Sequence, residues 1–204
     1  MEIKEKNTKD KILEEALKLF AQSGYMGTSM NDIASKLGVT KAALYKHYKS
    51  KQEILDSIID KMNELDRERV KRYEMPEGNL ETIATEYKET AFDKIKQFTK
   101  GQFLHWTEEE FSSCFRKMLT LEQYRDPQMA QLYQNYLAGG PLTYIEALFS
   151  DMLGDAGKAR QAALDFYGPI FLLYSIYDGV DDMSKMIKLL EEHMDHFSQE
   201  MQIN

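Results

Sequence analysis

The chain has 204 residues, 43% of them hydrophobic and 29% charged, which is enough for one large or two smaller domains and too apolar for a disordered chain. No stretch approaches the roughly 20 apolar residues of a membrane span, and no signal-peptide-like run follows the start. The single cysteine, Cys114, offers no intramolecular disulfide and no paired-thiol metal site, so a cytoplasmic protein is expected.

A formal net charge of -8 speaks against a nucleic-acid partner until its distribution is considered. Residues 1–51 carry ten Lys+Arg against six Asp+Glu, a net of +4, and the remainder carries 16 against 28, a net of -12. A small basic module on an acidic body is expected where only one end touches phosphate.

Apolar residues recur at helical spacing almost throughout, with four prolines in all, so the spacing predicts an all-α fold of about nine helices. The first helix is expected from Thr8 to Ser23, with Asn7 or Thr8 as its cap, Ile12, Leu13, Ala16, Leu19 and Phe20 on one face, and Gly24 as its stop. Ser29, followed three residues later by Asp32, opens a short second helix with Met30, Ile33, Ala34 and Leu37 inward, ending at Gly38. Thr40 caps a third helix through His47, anchored by Leu44 and Tyr48. Ser50 and Glu53 form another capping box and start a fourth helix, which runs towards Tyr73 until Met75-Pro-Glu-Gly78 breaks it. Beyond Asn79 the caps weaken. Helical patterns cover about 79–100, 107–123, 127–152, 156–177 and 181–201, with Gly139-Gly140-Pro141 as a break or kink.

Two short helices joined by Gly38-Val39-Thr40, with small Ala34 allowing close approach, have the form of a helix-turn-helix. The run ILEEALKLFAQSGYMGTSMNDIASKLGVTKAALYKHYKSKQEIL, residues 12–55, resembles the TetR-family DNA-binding domain almost position by position. Leu19-Phe20, Gly24-Tyr25, Thr28-Ser29, Ile33-Ala34, Leu37-Gly38-Val39, Leu44-Tyr45, His47-Tyr48 and Lys51 carry the likeness. It implies a DNA-binding domain over 1–50 and a ligand-binding and dimerisation domain over 51–204. On the third helix Lys41, Ala42 and Tyr45 share one face. Lys41 is placed to reach a base acceptor, and Ala42 is small enough to meet a thymine methyl. Tyr45, Lys46, His47 and Lys51 are expected at phosphates or in the groove, as the corresponding family positions often are. Thr28 and Ser29 stand at the start of helix two, where hydroxyls and N–H groups can hold a further phosphate. For any one of these residues, a solvated charge or a plain cap is the competing reading.

In the last segment Met183, Met186, Ile187, Leu190, Met194, Phe197 and Met201 form one apolar stripe, which needs a partner. The resemblance implies a four-helix bundle between two subunits made from 156–177 and 181–201, with burial inside the subunit as the alternative. It also implies a small-molecule pocket among the middle helices, expected around Phe103, His105, Trp106, Phe111, Phe115 and Tyr174. Aromatic stripes are more often plain core, and the effector class is open. Together these features imply a homodimer on a pseudo-palindromic DNA operator, released by a small-molecule inducer and acting as a repressor, with activation left open.

An enzyme would have to draw on Glu191-Glu192-His193-Met194-Asp195-His196, where two histidines three apart could share a metal. No nucleophile elbow, phosphate-binding glycine loop or paired-cysteine pattern accompanies them. No enzyme activity, cofactor, metal or membrane partner is therefore expected. Cys114 as a redox sensor lacks a second thiol within the chain, which leaves only an intersubunit bridge. An adaptor that keeps the helix-turn-helix shape without reading sequence is the remaining rival.

Overall fold

A computed structural model describes residues 8–78, 80–90, 92–180 and 182–201. They form α-helices and no strand: α1 (Thr8–Ser23), α2 (Met30–Lys36), α3 (Lys41–Tyr45), α4 (Lys51–Arg72), α5 (Leu80–Glu89), α6 (Phe92–Thr107), α7 (Glu110–Glu122), α8 (Pro127–Leu137), α9 (Gly139–Leu153), α10 (Ala156–Tyr177) and α11 (Met183–Met201). The all-α expectation holds, with two helices more than the periodicity predicts. The pattern over 79–100 resolves into α5 and the start of α6, and α6 runs on to Thr107. The pattern over 127–152 divides at Ala138, whose φ of -127° and ψ of -97° leave the helical region. α1 is described from Thr8 onward, and Asn7, one of its two expected caps, lies outside the described residues, as does Asn79. None of the described helices is long and apolar enough to cross a membrane.

The chain forms two compact units, one of residues 1–67 and 110–132 and the other of 68–109 and 133–204. The functional division expected between residues 50 and 51 is a different one, because compactness groups most of α4 and all of α7 with the first three helices.

In the first unit the core is built from the inward positions of α1 and α4 and of the short α2 and α3. Ala16, Leu17 and Phe20 of α1, Ile33 of α2, Leu44 of α3 and Ile54, Leu55, Ile58 and Met62 of α4 are all at most 1% exposed. Full burial of such a side chain contributes about 1.5–3 kcal/mol. α7 adds Phe115, Met118 and Leu119, equally buried, and packs along α1. Lys18 of α1 pairs with Glu110 of α7 at 3.2 Å, and the ammonium of Lys61, on α4, lies 4.9 Å from the ring centroid of Phe111 on α7.

The second unit is made of longer helices. α9 and α10 pack against each other, α5 lies on α9, and α11 contacts α10 and α6. Phe149, Phe166 and Phe197 meet pairwise with ring centroids 5.1–6.0 Å apart, the spacing of favourable edge and offset ring contacts. Phe103 stacks on Tyr174 at 5.2 Å and meets the edge of Tyr177 at 5.8 Å. Lys100 to Glu191, at 2.6 Å, and Lys96 to Asp195 tie α6 to α11. The end of α4 is held by Arg69, which donates to Gln102, and by Tyr73, whose hydroxyl lies where a Cβ on Gly101 would be.

Candidate nucleic-acid interface

Four local features place the exposed face of α3. Thr28 closes the turn after α1: it is buried, and its hydroxyl donates to the Gly24 carbonyl at 2.8 Å. Ser29 then caps α2 in a complete capping box, its Oγ accepting from Asp32 N–H at 3.3 Å while its own N–H donates to Asp32 Oδ2 at 2.8 Å. The Ser29 hydroxyl also donates to Asp32 Oδ2 at 2.6 Å, and this bond, then the one from the Ser29 N–H, holds the Asp32 carboxyl below its ordinary range. Gly38, at φ +67°, adopts the left-handed conformation that lets the chain leave α2, and Val39 N–H returns to Ala34 O at 3.0 Å. Thr40 caps α3 by accepting from Ala43 N–H at 3.2 Å.

α3 is one turn and a half long. It ends at Tyr45 rather than His47, and the chain tightens through His47 N–H to Leu44 O at 3.0 Å. Leu44 is fully buried and Tyr48 nearly so, so the helix is anchored on one side. On the other side Lys41, Ala42, Tyr45 and Lys46 are exposed, and His47 is half-buried. The Lys41 ammonium lies 5.8 Å from the Tyr45 ring centroid, one turn away. An anchored helix that presents two lysines, a tyrosine and a small alanine to solvent can enter a major groove with little reordering.

The N-terminus of α4 completes this region. Glu53 N–H donates to Ser50 Oγ at 3.1 Å, and Glu53 Oε2 accepts from Lys49 N–H at 2.6 Å. Lys51 turns inward in this structure. Its ammonium donates to Tyr25 O at 2.6 Å and Thr28 O at 2.8 Å, and lies 4.2 Å from the Tyr25 ring centroid. Burial lowers its pKa, with the charge of Glu122 acting in the opposite sense. Nothing in the spacing of a single sequence distinguishes this inward lysine from the outward Lys41 and Lys46.

The other expected sites divide differently. Phe103, His105, Trp106 and Tyr174 are all buried in the second unit, whereas Phe111 and Phe115 belong to the first. His105 Nδ1 meets Glu109 Oε2 at 2.7 Å, and Tyr177 OH donates to Glu108 at 3.2 Å. Desolvation, then the charge of Glu108, raises the pKa of Tyr177. Of the α11 stripe, Met186, Leu190, Met194 and Phe197 are buried within the subunit, Ile187 is half-buried and Met183 is exposed. α11 spends this stripe on α6 and α10. Large apolar residues left outward in the second unit include Leu164, Leu172 and Ile176 on α10, which fall eight and four residues apart and so share a face, Met183 and Leu189 on α11, and Tyr144 and Leu153 on α9. In the histidine-rich segment, His193 Nε2 is within 2.8 Å of Phe166 O and His196 pairs with Glu200 at 3.3 Å. Among the described residues no group of three or more His, Cys, Asp or Glu side chains is arranged to hold a metal.

Comparison with known proteins agrees with this geometry. Residues 12–58 match the family described as bacterial regulatory proteins, tetR family. Over 46 residues the chain is 48% identical to IcaR of Staphylococcus epidermidis, a negative transcriptional regulator of the biofilm operon icaADBC. That match spans 22% of this chain and 25% of IcaR, so only about a quarter of the relative is covered. Solved structures match over nearly the whole chain. A TerR/AcrR-family transcriptional regulator from Aquifex aeolicus aligns with a TM-score of 0.64 at 18% identity, covering 93% of this chain and 99% of that one. AibR, solved with isovaleryl coenzyme A and operator DNA, aligns with a TM-score of 0.62 at 20% identity, covering 91% and 96%. At such identities these likenesses establish the fold.

Proposed function

Because residues 12–58 match the tetR family of bacterial regulatory proteins, we propose that the chain is a ligand-responsive repressor of that family. It binds a pseudo-palindromic operator as a homodimer in the cytoplasm and is released by a small-molecule inducer. One observation carries the reading: Lys41, Ala42, Tyr45 and Lys46 face solvent together on a helix fixed from behind by Leu44 and Tyr48. Lys41 and Ala42 read base edges, while Tyr45, Lys46 and His47 contact groove or backbone. Thr28 and Ser29 border this surface chiefly as the turn-closing and capping residues that hold α2 in place.

Dimerisation uses the outward face of α10, Leu164, Leu172 and Ile176, flanked by Met183 and Leu189. A twofold pairing presents two copies of α3 about one DNA turn, or a small multiple, apart. The effector acts on the second unit, where the aromatic groups of α6 and α10 meet. AibR supports this scheme as a protein of the same fold solved with both a small molecule and operator DNA. The designation of IcaR as a negative regulator supports repression. An effector that favours the DNA-incompetent state by a few kcal/mol suffices for release.

Selection of bound duplexes from a random-sequence pool tests the reading. A single enriched pseudo-palindrome is expected; a pool that stays featureless at modest salt overturns it. Small molecules that dissociate the selected complex then identify the inducer class.

A further inference from the structure

Glu122, the last residue of α7, is fully buried, and among the described residues neither of its carboxylate oxygens has a hydrogen-bond partner. It lies against the end of α1: a Cβ at Gly24 would fall 2.0 Å from its Oε1, so the carboxylate occupies the space that a side chain at Gly24 would need. A buried carboxylate without hydrogen bonds persists only where opposite charge compensates it. Two cations are in place. Arg125 Nη1 lies 3.8 Å away on a largely exposed side chain. The Lys51 ammonium is bonded to the carbonyls of Tyr25 and Thr28, on the turn that begins at Gly24. Asp56 and Asp126 also act on this turn, through Tyr25.

The Glu122 carboxylate is held by charge rather than by directed hydrogen bonds, and it would gain hydration as soon as α7 moved. Lys51 is inward here, bonded to Tyr25 O and Thr28 O, and it sits at the start of α4 beside the exposed α3 face. We propose that Glu122 is a positioning residue for DNA binding, whose buried carboxylate holds the Lys51 ammonium on the α1–α2 turn and away from phosphate. Withdrawal of the carboxylate frees the ammonium for the DNA backbone, so α7 sets how many phosphates the protein engages. This inference rests on the DNA-binding reading above.

The test uses the full-length protein as wild type, Glu122→Gln, Lys51→Met and the double variant, with a mixed-sequence duplex titrated over a range of monovalent salt. Each added phosphate contact steepens the slope of log K against log salt by about 0.9. Glu122→Gln is expected to steepen the slope by that amount per subunit, whereas the double variant keeps the slope of Lys51→Met alone. An unchanged slope in Glu122→Gln overturns the proposal. So does equal steepening in the Lys51→Met background, which would mean that removing any nearby negative charge suffices. Circular dichroism controls for folding; should Glu122→Gln not fold, Glu122→Asp, which retracts the carboxylate by one methylene, is expected to give an intermediate slope, and a wild-type slope there overturns the proposal. A wild-type protein that binds no duplex refutes the DNA-binding reading itself, and is thereby distinguished from failure of this inference alone.

Discussion

The two compact units solve the problem of stability in different ways. The first includes two short helices, α2 and α3, each started by a side-chain cap and anchored by one or a few buried residues. The second relies on long helices whose aromatic faces interlock, and α10 alone runs for 22 residues around an internal Pro169. Short helices are marginal on their own, so their ends and turns need particular residue types. Long helices that pack over many turns tolerate substitution as long as volume and patterning are kept. That difference is consistent with a family match confined to residues 12–58, while solved structures of low identity match over more than nine-tenths of the chain.

The largest effects should come from the cores. Phe20→Ala, in the middle of the first unit, is expected to cost about 3–5 kcal/mol and to abolish duplex binding, and Met194→Ala in the second about 2–5 kcal/mol. Urea denaturation of each variant checks both. If α11 faced a partner subunit instead of its own core, Met194→Ala would chiefly change the dimer dissociation constant. Leu172→Glu sharpens the same contrast from outside: a charge on the outward stripe of α10 should convert the proposed dimer to a folded monomer in analytical ultracentrifugation. An unaffected dimer would place the interface elsewhere.

At the DNA surface the expected effects are smaller. Lys41→Ala should weaken binding to the selected operator by about 1–3 kcal/mol and relax its sequence preference, whereas Lys46→Ala should weaken all duplexes alike and lower the salt slope by about 0.9 per subunit. Equal losses on every sequence from both variants would leave only nonspecific binding. Removing a cap, as in Thr40→Ala, is expected to cost about 0.5–2 kcal/mol by denaturation, because Ala43 N–H loses its acceptor.

The smallest contribution comes from the exposed helix-capping carboxylates. Asp32 in the first unit, and Asp155 and Asp182 in the second, are held below their ordinary pKa mainly by hydrogen bonds from Ser29, Lys158 and Ser184. Because the folded pKa values are depressed, this stabilisation is fully present above the unfolded carboxylate pKa of about 4 and is lost as the pH falls through the folded values. Thermal melts of Asp32→Asn should accordingly converge on wild type in acid and diverge towards neutrality.

Much of the N-terminal region was legible from residue order alone. Ser29 with Asp32, Gly38 at a positive φ, and Thr40 as a cap are local devices whose spacing announces them, and the structure uses each as expected. The face bearing Lys41 and Tyr45 follows from 3.6 residues per turn once Leu44 is known to point inward. Three features depended on the assembled chain. Lys51 has the composition of a phosphate ligand, but the carbonyls of Tyr25 and Thr28, brought to it from residues 23 or more positions away, turn it inward. The α11 stripe carries the right periodicity for a dimer seam, yet periodicity shows only that a face is covered, and α6 and α10 cover most of it within the subunit. Glu122 ends an ordinary amphipathic helix, and only the close approach of α7 to Gly24 removes it from water. Local hydrogen bonds and turn chemistry are written within a few neighbouring residues, whereas the environment of a side chain depends on which distant surface arrives beside it.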